Sequence, residues 1–290
     1  MTADELKKRM GHLSIWKKNG QRAPHKPLLI LYALARLQQH AVSLPYEQVR
    51  VKLKQLLMEF GPPRKSYHPE EPFVRLVTDG IWETNSWIDK RQFSDRQLLA
   101  DQVAGGFSSE VIWLLQGNHA LIQELAELLL HDHFPESMHQ DILEEVGLDF
   151  TVGKKRPRDP QFRERILRAY EYSCAVCGFN VRLGHHLVGI DAAHIQWHQA
   201  GGPDTVDNGI ALCSLHHKLF DRGVFSINEE RRLIAAEAAH GTKGFEEWLM
   251  RFHDHEIKRP IRPEYQPEAR YMGWHIREVF QGPARYSAHG

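Results

Sequence analysis

All three cysteines of this 290-residue chain lie between positions 174 and 213, each in a tight pair with another metal-binding side chain. The pairs are Cys174-Ala-Val-Cys177 and Cys213-Ser-Leu-His216. The first presents two thiolates on one knuckle, the second a thiolate and an imidazole. Two such knuckles together supply the four tetrahedral positions that Zn²⁺ prefers. Buried free thiols give no reason for this spacing, and a disulfide does not suit the reduced interior of a cell. The expectation is a closed structural zinc site of Cys174, Cys177, Cys213 and His216, with the adjacent His217 competing for the fourth place.

A second set is interleaved with the first: His194 in Asp191-Ala-Ala-His194-Ile195, Asn208 in Asn208-Gly-Ile-Ala-Leu-Cys213, and His217 in His216-His217-Lys-Leu-Phe-Asp221-Arg-Gly. These words resemble the HNH nuclease family, which has the ββα-metal fold. The resemblance implies that His194 is the general base that activates water. It implies that Asn208 holds the loop and orients that base, and that His217 binds a catalytic divalent ion, Mg²⁺ or Mn²⁺. It also implies products with a 5′-phosphate and a 3′-hydroxyl. The chemistry wants these residue types independently. Phosphodiester hydrolysis needs a proton acceptor for water and a cation near the scissile phosphate, and an imidazole can be neutral near pH 7. The sequence departs from the family at Ala193, where many members carry an acidic ligand. Asp191, two residues earlier, points to the same side of an extended strand and is the expected substitute.

The length suits two domains, and hydrophobic residues make up 42% of the chain, enough for real cores. No apolar run reaches membrane-spanning length, and the polar start is no signal peptide, so the expected location is cytoplasmic. Lys and Arg balance Asp and Glu, but unevenly along the chain: residues 101–150 hold ten acids and no Lys or Arg. A basic lobe beside an acidic segment can bind phosphate on one side and repel it on the other.

From Pro27 to about His40 the sequence is apolar nearly all round, which predicts a buried helix opened by the proline. His25 and Lys26 then stand at its N-terminus, where unpaired N–H groups favour an anion. A helix from Pro45 to Phe60 follows, with Val49, Leu53, Leu56, Leu57 and Phe60 on one face. Residues 73–77 and 81–83 read as two strands about an Asp79-Gly80 turn. Ser94 and Gln97 suggest a capping box for a helix to Val103, broken by Gly105-Gly106. Helices are expected over 108–116, 118–134, 136–146 and 161–172. A hairpin is expected about Asn228, then a helix over 245–256 with Trp248, Leu249 and Phe252 inward, and a helical tail over 271–280.

The N-terminal half carries its own resemblance. Ala-Pro-His25-Lys26-Pro27, Tyr67-His68-Pro69-Glu-Glu-Pro72-Phe73 and Asp79-Gly80-Ile-Trp82 resemble the sulfur-binding domain of restriction endonucleases that recognise phosphorothioate DNA. The family implies a small apolar pocket beside basic residues, with His25 and Lys26 on one side and His68, Pro69 and Pro72 on the other. Sulfur is larger, softer and less hydrated than oxygen. A proline ring can therefore accept sulfur while offering oxygen no hydrogen bond in exchange for lost water.

The expected protein is an α+β chain: a mainly helical DNA-reading domain (residues 1–147), a basic linker (148–160) and a zinc-braced HNH domain (161–290). The expected function is a type IV-like restriction endonuclease that cuts double-stranded DNA near phosphorothioate linkages. A double-strand break from one site per chain suggests a homodimer. The rivals are a nuclease that reads a methylated base and a non-catalytic DNA-binding module. A flipped methylated base wants an aromatic pocket, and residues 64–72 offer Tyr67 alone.

Overall fold

The computed structural model describes residues 1–15, 21–150 and 160–286. The basic cluster of the expected linker (Lys154, Lys155, Arg156 and Arg158) lies outside the described residues. The chain divides into two compact units, Met1–Lys154 and Lys155–Gly290.

The first unit opens on α1 (Ala3–Gly11), where Thr2 and Glu5 form a reciprocal capping box. The central helix α2 (His25–Gln38) has Leu28, Leu29, Ile30, Leu31 and Leu34 at 0% exposure. Its all-round apolar sequence demands neighbours on every side. The helix starts two residues before Pro27, which still falls among the first four N–H positions that have no partner inside a helix. Against it lies α3 (Tyr46–Phe60), whose buried residues include the five expected. Later come α5 (Asp95–Ala100), α6 (Ser109–Leu115), α7 (His119–His133) and α8 (Glu136–Val146), the last stopped by Gly147 at φ +86°.

Two expectations fail in this unit. Residues 70–79 form α4 (Glu70–Arg75) and a 3₁₀ turn (Leu76–Asp79), not a strand. Phe73, Val74 and Leu76 are all buried, a pattern that alternation alone does not separate from a short buried helix. Gly105-Gly106 does not end structure but forms the middle of it. The strands β1 (Leu44–Pro45), β2 (Trp82–Thr84) and β3 (Ala104–Phe107) make an antiparallel sheet in the order β1-β3-β2, with Trp82 opposite Phe107. A Cβ on Gly105 would sit 2.9 Å from the Phe73 ring, and one on Gly106 would sit 2.2 Å from the Val42 carbonyl oxygen. The glycines are there for lack of room. Ser94 caps α5 by accepting from the Gln97 N–H (3.2 Å), and the helix ends three residues earlier than expected.

The second unit begins with α9 (Pro160–Ala169), halted where Glu171 and Tyr172 take positive φ. After the first cysteine knuckle comes a hairpin, β4 (Val181–Leu183) with β5 (His186–Val188). Next come β6 (Ile190–His194), its antiparallel partner β7 (Gly209–Cys213), and α10 (Ser214–Asp221) directly after β7. This is the two-strand-and-helix unit expected. The strands β8 (Phe225–Ile227) and β9 (Leu233–Ala235) form the predicted hairpin. The helix expected over 245–256 is shorter: α11 (Lys243–Trp248) and a 3₁₀ turn (Met250–Phe252). Leu249 is buried, but Trp248 is 43% exposed and does not point inward. The tail helix α12 (Ala269–Glu278) packs on the unit through Tyr271, Met272, Trp274 and His275. His275 is a satisfied core histidine: its ring stacks on Phe220, Nδ1 accepts from the Ser226 hydroxyl and Nε2–H donates to the Phe220 carbonyl. Among the described residues no helix is long and apolar enough to cross a membrane.

Candidate functional site

The first knuckle is tied to β7 by the Ala175 N–H, which donates to the Ala211 carbonyl (2.8 Å). The second knuckle is the end of β7 and the first turn of α10. This brings Cys174, Cys177, Cys213 and His216 together, their ligand atoms all within 4.8 Å of one another. Cys177 Sγ and Cys213 Sγ are 3.9 Å apart, and His216 Nδ1 is 3.7 Å from Cys174 Sγ and 3.1 Å from Cys213 Sγ. Bonds of about 2.3 Å to sulfur and 2.0 Å to nitrogen in a tetrahedron give separations of this size. His216 is fully buried, and its Nε2–H donates to the Trp248 carbonyl, which fixes the ring with Nδ1 toward the sulfurs. Burial would lower the His216 pKa, but the bonds with Cys174 and Cys213 raise it to about 9. Cys177 and Cys213 hold the Cys174 thiol well below its ordinary value. Of the two histidines weighed for the fourth place, His216 is the one in this cluster.

His217 faces a different set. Its Nε2 is 3.2 Å from Asp221 Oδ2, one turn on in α10, and its Nδ1 is 3.9 Å from Asp191 Oδ2 on β6. Burial would depress this imidazole, yet the two carboxylates raise its pKa to about 10. His217, and then Arg163, hold the Asp191 carboxyl below the ordinary range despite its partial burial. The two contacts use opposite nitrogens, so they have different uses. Asp221, 2% exposed, receives Nε2–H and sets the ring. That leaves Nδ1 facing the half-exposed Asp191 carboxylate, two groups that could hold a cation once the imidazole is neutral.

His194 ends β6 at 6% exposure. Its ring stacks on Phe162 of α9, with centroids 4.1 Å apart and planes 12° apart, and its Nε2 is 2.7 Å from Asp204 Oδ1. Asn208 is fully buried. Its Oδ1 accepts from the Gln196 N–H (2.8 Å), and its Nδ2 donates to the carbonyls of Gln196 and Pro203 (3.0 Å each). It therefore clamps the loop between β6 and β7.

The sequence reading missed Asp204, Phe162 and the Asp221 contact. Asp221 was findable, since it lies four residues after His217 on a helix and so on the same face. Asp204 was not, because a loop contact across ten residues leaves no periodic mark.

In the first unit an open cleft of about 540 Å³ is lined by Ile15, Ala23, His25, Lys26, His68 and Pro72, with Ser14, Glu71 and Arg75. Four of the five predicted sulfur-contacting residues meet there. Pro69 is not among the lining residues; it is buried at the start of α4. Burial, then the charges of Arg64 and His68, lower the His25 pKa to about 4, so its imidazole is neutral at pH 7. Lys26 is already engaged: its Nζ is 2.5 Å from Asp79 Oδ2 and donates to the Ser14 carbonyl (2.9 Å), and both side chains are buried. Arg75, which donates to Glu71, is the cation the sequence reading missed. Assigning residues 73–77 to a strand hid it, whereas helical spacing puts it beside Pro72.

The sulfur-binding domain of ScoMcrA complexed with phosphorothioated DNA is similar at 20% identity over 49% of this chain and 94% of that chain (TM-score 0.42). The sulfur-binding domain of SprMcrA complexed with phosphorothioated DNA is similar at 20% identity over 51% and 95% (TM-score 0.44). The type IV phosphorothioation-dependent restriction endonuclease ScoMcrA is similar at 20% identity over 57% of this chain and 33% of that chain (TM-score 0.39). No curated protein matches the chain. The HNH endonuclease family model matches residues 174–228, the span of both ligand sets. The model of the ScoMcrA-like DNA sulfur-binding domain matches residues 3–151, half of the chain, so the chain belongs to the ScoMcrA-like sulfur-binding family and joins that domain to an HNH endonuclease domain.

Proposed function

We propose that this chain is a restriction endonuclease that finds phosphorothioate linkages in double-stranded DNA with its first unit and hydrolyses a nearby phosphodiester with its second. One observation carries the cutting half: a buried imidazole, a loop-clamping asparagine and a histidine–carboxylate pair gathered on one strand–strand–helix unit. His194 takes a proton from water. The resulting hydroxide attacks phosphorus, the bond to the 3′-oxygen breaks, that oxygen takes a proton from solvent, and the products are a 5′-phosphate and a 3′-hydroxyl. Asp191 and His217 would hold Mg²⁺ or Mn²⁺, which would offset the charge on the leaving oxygen. The Cys₃His cluster would hold Zn²⁺ as frame.

The cleft in the first unit supports the reading half. One wall combines proline, isoleucine and alanine with a neutral histidine, so an oxygen turned toward it would lose water for little in return and a sulfur would lose little. Arg75, half-exposed and paired with Glu71 only at the surface, is the cation an anion can recruit there, whereas Lys26 is held by Asp79. We place the chain in the cytoplasm with the DNA, and a double-strand break would use two copies.

The test is one duplex sequence prepared unmodified, base-methylated and phosphorothioated, with Mg²⁺ or Mn²⁺. Cutting confined to the phosphorothioated duplex is expected, and His194→Ala should bind it without cutting. Cutting of the methylated duplex alone would overturn the sulfur reading. Binding without any cutting by the unaltered chain would make it an inert module.

A further inference from the structure

The His194 ring is gripped on its face by Phe162 and on one edge by Asp204. A neutral imidazole has one donor and one acceptor nitrogen, whereas a carboxylate only accepts. The 2.7 Å contact with Asp204 Oδ1 therefore requires the hydrogen on Nε2, and the lone pair then lies on Nδ1. We propose that Asp204 is the positioning residue of the cutting site: it selects the His194 tautomer whose Nδ1 accepts the proton from water. This rests on the reading of His194 as the base.

Once Nδ1 has taken the proton the ring is an imidazolium, and Asp204 faces the charge that has formed. The same division of labour is known between the aspartate and histidine of serine proteases. Asp204 is itself held in place. Arg165 Nη2 donates to its carbonyl (3.0 Å), and Asn208 Nδ2 donates to the carbonyl of Pro203 just before it (3.0 Å). The side-chain bonds of Asn208 go to the backbone of residues 196 and 203. Asn208 thus acts on the base through the loop that carries Asp204, and its effect passes through a carboxylate outside the three-residue motif.

The test uses the full chain with a phosphorothioated duplex and Mn²⁺, comparing Asp204→Asn, Asp204→Glu and His194→Ala. Nitrogen-15 NMR of labelled histidine reads the tautomer, the His194 signals being those lost in His194→Ala. The unaltered chain should carry hydrogen on Nε2. Asp204→Asn, whose amide can donate, should shift hydrogen to Nδ1 and slow single-turnover cutting by about 10²- to 10⁴-fold. DNA affinity should stay unchanged, and Asp204→Glu should regain part of the rate. Hydrogen on Nδ1 in the unaltered chain would overturn the proposal even if a variant fails to fold. So would Asp204→Asn cutting at the unaltered rate. Full cutting by His194→Ala is a separate failure, that of the base itself.

Discussion

At the scale of single residues, the two units set opposite electrostatic tasks for their histidines. His217 is surrounded by carboxylates and holds a proton tightly; His25 is surrounded by apolar walls and cations and sheds one. On the proposed reading of His217 as an ion ligand, Asp221 matters because it takes Nε2–H and leaves Nδ1 for the ion. Asp221→Asn should raise the Mn²⁺ concentration for half-maximal cutting by about 10- to 100-fold, with DNA binding unchanged. A titration of rate against metal checks this. His25 makes a prediction about stability. Its folded pKa, about 4, lies below the ordinary 6.5, so between these values the unfolded chain binds more protons. Stability of the first unit should therefore fall as pH drops from 6.5 toward 4. His25→Gln should flatten that part of the profile in denaturant melts. Lys26 is a poor residue for probing DNA contact, because losing one partner of a buried ion pair costs about 3–5 kcal/mol by itself.

At the scale of elements, the lesson lies in β3. Two consecutive glycines normally signal a break, yet here they let a strand pass between the Phe73 ring and the Val42 backbone. Gly106→Ala should destabilise the first unit by about 1–3 kcal/mol, since backbone must move to admit the methyl group. Thermal melts of the two proteins check this. Elements built on strong periodicity were legible: α2, α3, α7, α8 and the β8–β9 hairpin all follow from local pattern. The short α4 and the end of α11 were not, since burial there is set by distant neighbours. Within the candidate site, local spacing pointed to the residues of the knuckles, and the family resemblance to the histidine–asparagine–histidine set. The partners that orient them, Asp204 and Phe162, reach His194 from a loop and from α9, and no local rule reports such contacts.

At the scale of the whole molecule, two compact units have separate means of holding together. The first relies on a helical hydrocarbon core, while the second adds a Cys₃His cluster to its own core. With zinc in that cluster, as proposed, a strong chelator should melt the second unit and spare the first, because a structural metal contributes folding free energy directly. Calorimetry of the full chain should show one transition lost or lowered and one retained. Both moving together would mean that the cluster braces more than its own unit.

His216 and His217 are consecutive in α10, one turned toward the sulfurs and the other toward Asp191. A single peptide bond thus separates the brace from the blade. On the assignments proposed here, a cell starved of zinc would make a chain that still settles on marked DNA but leaves it whole, so scarcity of one nutrient metal would turn a weapon into a harmless tag.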